Sequence, residues 1–126
     1  MGPSLHHAQV FYPPGEEARA RRFYTDALGL AEIERPSTLR DRAGLWFAAG
    51  PGHVHLSADR DLGLHPRRHF ALRVPDLDAA VRRLAAAGAR FEDADPIPGW
   101  RRRYVFDPFG NKIELDEIRE PDLIRE

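Results

Sequence analysis

The chain has 126 residues, of which 42% are hydrophobic and 31% charged, with a formal net charge of -1 and no cysteine. That balance supports a buried core of ordinary domain size, and it argues against a polyanionic partner such as nucleic acid, which favours a clearly basic face. Disulfides, thiolate metal sites and cysteine nucleophiles are excluded, and no apolar run approaches the roughly 18 residues of a membrane span.

The N-terminus "MGPSLHHAQV" has neither a basic leader nor an apolar stretch, so no signal peptide is expected and a cytoplasmic location without membrane partners is the default. Leu5, Ala8 and Val10 lie in a run that reads as a strand, closed by Pro13-Pro14-Gly15. Phe23, Ala27 and Leu30 then mark an apolar stripe at helical spacing, with Gly29 past the helix end. A short segment, "AEIERP", leads to "GLWFAAGPGHVHLS", a strand, a Gly/Pro turn and a second strand.

The plan then repeats. Phe70, Leu72 and Val74 alternate with His69, Ala71 and Arg73 as a strand. Asp76 is a candidate N-cap for a helix carrying Leu77, Val81 and Leu84 on one face, and Gly88 ends it. "ARFEDADPIP" and "RRRYVFDPFGNKIELD" supply a further segment and a hairpin with an Asp/Pro/Gly/Asn turn. Each half therefore reads as βαβββ, and the period falls in the range where internal repeats are sought first. The expected fold is α+β: two βαβββ modules, about 4–58 and 67–118, forming curved mixed sheets within one domain, with a polar linker at 59–66. Phe23, Leu28, Leu77 and Leu84 read as core. The C-terminal "REPDLIRE" is assigned neither element nor role.

Laid on one another, the halves match His7 with His69 and His55 with Glu114. Each half thus places one metal-capable side chain on its first strand and one on its last. His55 and Glu114 each stand between apolar neighbours, so alternation points them to one face and the neighbours to the other. Imidazole and carboxylate together suit a divalent ion: Zn, Ni, Mn, Fe or Co. A single strand histidine is more often structural, but the matched placement makes His7, His55, His69 and Glu114 candidate metal ligands. His6 and His65 read as solvated, His6 because it faces away from His7. His53 shares a face with His55, and its structural role is favoured over one at the site.

Gln9 and Arg73 share faces with His7 and His69 and are candidate substrate contacts. Trp46, Trp100, Arg103 and Tyr104 complete the candidate lining, an aromatic and basic set. Arg101 and Arg103 alternate with Arg102 and Tyr104, and a solvated edge strand is an equal reading for Arg101 to Arg103.

The segments "LHHAQV", "FYTDALGL", "HVHL", "RHFALRVPDLDAAVRRL" and "DPFGNKIEL", in that order over residues 5–118, resemble the vicinal oxygen chelate superfamily. That group contains glyoxalase I, extradiol dioxygenases, methylmalonyl-CoA epimerase, fosfomycin-modifying transferases and bleomycin-binding resistance proteins. The resemblance implies paired βαβββ modules curled into cups, a homodimer, a small-molecule substrate, and metal ligands at His7, His55, His69 and Glu114. Glyoxalase I and the epimerase usually carry a carboxylate or amide where His55 stands here, so His55 departs from their pattern. The resemblance implies catalysis through an ion that chelates adjacent substrate oxygens, of the lyase or isomerase type, with His55 and Glu114 as catalytic groups. The alternatives are a metal-free drug-sequestering protein of the bleomycin-resistance type, or an extradiol dioxygenase. A fold of this kind hosts many chemistries and does not name the reaction.

Overall fold

The computed structural model describes residues 2–39 and 41–118; the C-terminal "REPDLIRE" lies outside the described residues. The chain divides into two compact units, Met1–Leu64 and His65–Glu126, and the division falls inside the predicted linker. Among the described residues each unit holds one four-stranded sheet with a helical segment after its first strand, and the first unit adds a short 3-10 turn at Ser37–Leu39. Among the described residues no helix is long and apolar enough to cross a membrane.

In the first unit the strands are β1 (His7–Tyr12), β2 (Glu32–Ile33), β3 (Gly44–Ala49) and β4 (Gly52–Ala58), in the order β1-β4-β3-β2. β1 pairs with β4 in parallel, and β3 pairs antiparallel with both β4 and β2. Strict alternation gives the sheet two chemistries. Tyr12, Leu45, Phe47, Val54 and Leu56 are buried on one face with Ala20, Phe23, Tyr24, Ala27 and Leu28 of the helical segment. The rings of Tyr24 and Phe47 stack at 5.3 Å. Each such large side chain removed from water contributes roughly 1.5–3 kcal/mol.

The helical segment differs from the expected regular helix. α1 (Glu17–Arg21) is α-helical, but Arg22–Ala27 continues as π-helix. The Leu28 N–H bonds the Phe23 carbonyl, five residues back, at 2.8 Å. Two adjacent aromatics in this wider turn, Phe23 and Tyr24, are both buried. Gly29, at φ 93°, ends the segment in the left-handed conformation that glycine adopts without a Cβ penalty.

The second unit has β5 (His69–Arg73), α2 (Leu77–Ala86), β6 (Arg90–Asp93), β7 (Trp100–Phe106) and β8 (Lys112–Ile118), with strand order β5-β8-β7-β6. β5 runs parallel to β8, matching the first unit strand for strand. Asp76 caps α2 as expected, its Oδ1 accepting the Ala79 N–H at 3.0 Å. The Leu77 N–H is satisfied from the sheet, by Glu117 Oε1 at 2.8 Å. Leu77, Ala80 and Leu84 meet Val105, Ile113 and Leu115 in the core.

The β7–β8 turn is built by one side chain. Asp107 Oδ1 accepts the N–H groups of Phe109 and Asn111 at 2.9 and 2.8 Å. The Asn111 side-chain amide donates to Asp107 Oδ2 at 2.8 Å. Aspartate turns of this kind replace backbone partners that a tight loop lacks. The turn sets the register that places Tyr104 opposite Glu114.

Candidate functional site

The sheet face turned away from the helix carries the polar residues in both units. In the first unit that face presents His7 and Gln9 from β1, Trp46 from β3, and His53, His55 and Ser57 from β4. The register sets Trp46 and Gln9 on either side of His55. The His55 ring is sandwiched: Trp46 stacks on it at 3.9 Å with planes 2° apart, and His7 at 4.1 Å and 24°. Gln9 donates to the Ser57 hydroxyl.

Two histidines set aside on sequence grounds join this group. His6 Nδ1 lies 3.0 Å from His7 Nδ1, although alternation sent the two side chains apart. His6 precedes the first residue of β1, so the period-two rule does not bind it. His53 Nδ1 lies 3.2 Å from His55 Nε2. His65 accepts the Arg67 N–H within its own turn.

Burial, reinforced by the positive potential of His7, His53, His6 and Arg35, lowers the His55 pKa to about 4. His55 is therefore neutral at neutral pH, the form in which imidazole ligates a metal.

In the second unit the corresponding face holds His69, Arg73, Trp100, Arg102, Tyr104, Lys112, Glu114 and Asp116. His69 Nε2 lies 3.0 Å from Glu114 Oε1. Its Nδ1 faces the Arg67 carbonyl at 2.8 Å, which fixes the ring with Nε2 toward the carboxylate. A carbonyl behind the ring is the usual support of a metal-ligating histidine. Arg102 Nε donates to Glu114 Oε2 at 3.0 Å, and its Nη2 donates to the Tyr104 hydroxyl at 3.2 Å. Tyr104 meets His69 edge-on at 5.3 Å, and Lys112 Nζ sits 4.1 Å over the Tyr104 ring.

Asp116 and Arg102 are the residues that sequence reasoning missed here. Asp116 is buried beside Glu114, and its Oδ1 lies 3.8 Å from Arg102 Nε with no hydrogen-bond partner. Burial, then hydrogen bonding and repulsion from Glu114, raise its pKa to about 7. For Glu114 burial works upward, but Arg102, Asp116 and His69 outweigh it and hold the carboxyl below its usual range. The signal was present in "IELDEI": the alternation that aims Glu114 away from the helix aims Asp116 with it.

Arg103 stands on the other face of β7, its Nε 3.1 Å from Asp93 Oδ1 and its guanidinium over Phe91 at 5.2 Å. It does not join the Glu114 group; Arg102 does. Arg73 shares the Glu114 face and donates to the Ile118 carbonyl at 3.0 Å. Trp100 is opposite Ile118, its buried indole N–H unpartnered.

Among the described residues no group of three or more His, Asp or Glu side chains is arranged to hold a metal ion. In each unit two of the candidate ligands are instead neighbours, His7 with His55 and His69 with Glu114. Ligand atoms about 2.0–2.2 Å from a zinc-like ion stand about 3 Å from one another, which the His69–Glu114 separation matches. Both pairs have suitable donor atoms; His69 and Glu114 have the spacing of a shared ion, whereas the stacked His7 and His55 rings, with lone pairs in nearly parallel planes, would have to turn to share one.

Known proteins share this architecture. A glyoxalase family protein from Bacillus anthracis is 35% identical, with 94% of this chain and 97% of that chain covered and a TM-score of 0.86. The fosfomycin resistance protein FosX from Listeria monocytogenes, 16% identical with coverage of 98% and 97%, has the same fold at a TM-score of 0.76. So does a glyoxalase/bleomycin resistance protein from Streptomyces sp. CB03234, at 21% identity, coverage of 90% and 100%, and a TM-score of 0.67. No match was found among curated proteins. The family profile matches residues 4–115, and the chain belongs to the Glyoxalase/Bleomycin resistance protein/Dioxygenase superfamily.

Proposed function

We propose that this protein is a metal-dependent enzyme acting on a small molecule with adjacent oxygens, with His7, His55, His69 and Glu114 as its candidate ligands for divalent metal. The reading rests on one observation above the others: the two units, matched strand for strand, carry donor pairs at equivalent places, first strand and last. When bound, such an ion acts as a Lewis acid that stabilises negative charge on a chelated substrate oxygen. His55 offers a neutral nitrogen because burial keeps it unprotonated. His69 is oriented from behind by the Arg67 carbonyl, and Glu114 is held ionised by Arg102. Tyr104 and Trp46 form aromatic walls beside the two pairs, and Gln9 and Trp100 are further substrate contacts in this reading. We infer a homodimer from the family resemblance.

A second reading, metal-free sequestration of a small molecule, is favoured by one feature. Both oxygens of Glu114 already have partners, His69 and Arg102. Elemental analysis of protein purified without an affinity tag separates the two. The first reading expects a stoichiometric divalent metal that is lost in His69→Ala and Glu114→Ala; absence of metal after incubation with Zn, Ni, Mn, Fe and Co in turn overturns it.

A further inference from the structure

We propose that a cavity beside Trp46 is the subsite for an anionic group on the ligand, with Arg35 as its anchor. This rests on the reading that the face bearing His7 and His55 receives a small molecule. The cavity is open to solvent, has a volume of about 800 Å³ and is lined by Glu34, Arg35, Pro36, Ser37 and Trp46.

Arg35 is built into this place. Its Nη1 and Nη2 donate to the carbonyls of Gly44 and Leu39, each at 3.3 Å. These contacts are long and their acceptors are neutral, and its Nε is buried with no partner. Among the described residues Arg35 has no ion-pair partner, while Glu34, on the cavity wall, is exposed. Space for the guanidinium comes from Gly44: a Cβ there would lie 3.1 Å from Arg35 Cζ. Two positions along β3 from Gly44, Trp46 continues the same face and stacks on His55. A guanidinium without a carboxylate beside a flat indole wall recognises an oxyanion on a planar apolar body. The class is an aryl or conjugated carboxylate or phosphonate, its anionic end at Arg35 and its body against the indole face of Trp46 that His55 does not cover.

The test uses benzoate and phenylphosphonate as probes and neutral benzamide as control. Binding is read by calorimetry and by tryptophan fluorescence of the otherwise unaltered protein. Expected is quenching by one or both anions, with affinity about tenfold or more above that of benzamide, falling by a similar factor in Arg35→Met. Arg35→Lys retains part of it, and Glu34→Gln tightens it. Equal binding of benzamide, unchanged affinity in Arg35→Met, or no anion binding overturns the proposal. If Arg35→Met fails to fold, the salt dependence of the parent protein decides: affinity unmoved between about 20 and about 500 mM NaCl overturns the proposal. Metal content of the same samples keeps the two readings apart. Metal without anion binding sinks this inference alone, and anion binding without metal sinks the metal reading alone.

Discussion

Glu114 and Asp116 stand two positions apart on β8, on one face of the sheet, and their buried carboxyls interact so that Asp116 holds its proton while Glu114 keeps its charge. An aspartate whose pKa rises from 3.8 to about 7 on folding stabilises the fold most at low pH. As pH climbs from 3.8 the unfolded chain ionises while the native one resists, so stability drains away up to about 7. Asp116→Asn keeps a side-chain N–H for Glu114 but cannot ionise. In metal-free protein the variant is expected to match the parent near pH 4 and to exceed it increasingly toward pH 8. Urea midpoints across that range check this; parallel curves contradict it.

His55 runs the other way. Its pKa falls from 6.5 to about 4 on folding, so the stability it contributes is present above 6.5 and lost as pH falls toward 4. His55→Phe preserves a ring between Trp46 and His7 without a titrating nitrogen. Thermal unfolding of metal-free variant and parent between pH 7 and pH 4 should show the smaller loss in the variant.

Asp107 supplies the acceptor for two backbone N–H groups in the β7–β8 turn. Asp107→Ala leaves both without that acceptor in a buried place, at a cost of roughly 2–4 kcal/mol. Denaturant titration should show that loss, and Asp107→Asn, which keeps an acceptor, should lose less.

Gly44 has no space for a side chain: a Cβ would meet the Leu56 carbonyl at 2.7 Å and Arg35 Cζ at 3.1 Å. Gly44→Ala is expected to destabilise by about 1–3 kcal/mol, measured by chemical unfolding. Because the crowded guanidinium must shift, the variant should also change Trp46 emission.

The repeated βαβββ plan was legible because apolar residues alternate in "HVHL" and "KIEL" and because Gly29 and Gly88 stop two helical runs at equivalent points. That His7, His55, His69 and Glu114 each point away from the helical side was legible for the same reason, since alternation decides which face a strand side chain joins; that His7 neighbours His55 and His69 neighbours Glu114 follows from the parallel strand pairing. What escaped needed information from a neighbouring strand or a neighbouring turn. That Arg102 rather than Arg103 meets Glu114 follows from the cross-strand register, which pairs Tyr104 with Glu114. The π-helical stretch stayed hidden because propensity and periodicity describe a 3.6-residue turn. His6 was misjudged by applying strand alternation to a residue just outside the strand.

The parallel pairing of first and last strands carries a kinetic consequence. Chain-local hairpins, β3 with β4 and β7 with β8, close short loops and are favoured early. By contrast, 48 residues separate Gln9 from Ser57 and 45 separate His69 from Glu114, so these contacts carry the larger loop-closure entropy and form late. In each unit the chemistry-bearing pair is therefore assembled by the last strand to dock, and a nascent chain acquires its candidate ligands only when that unit has finished folding.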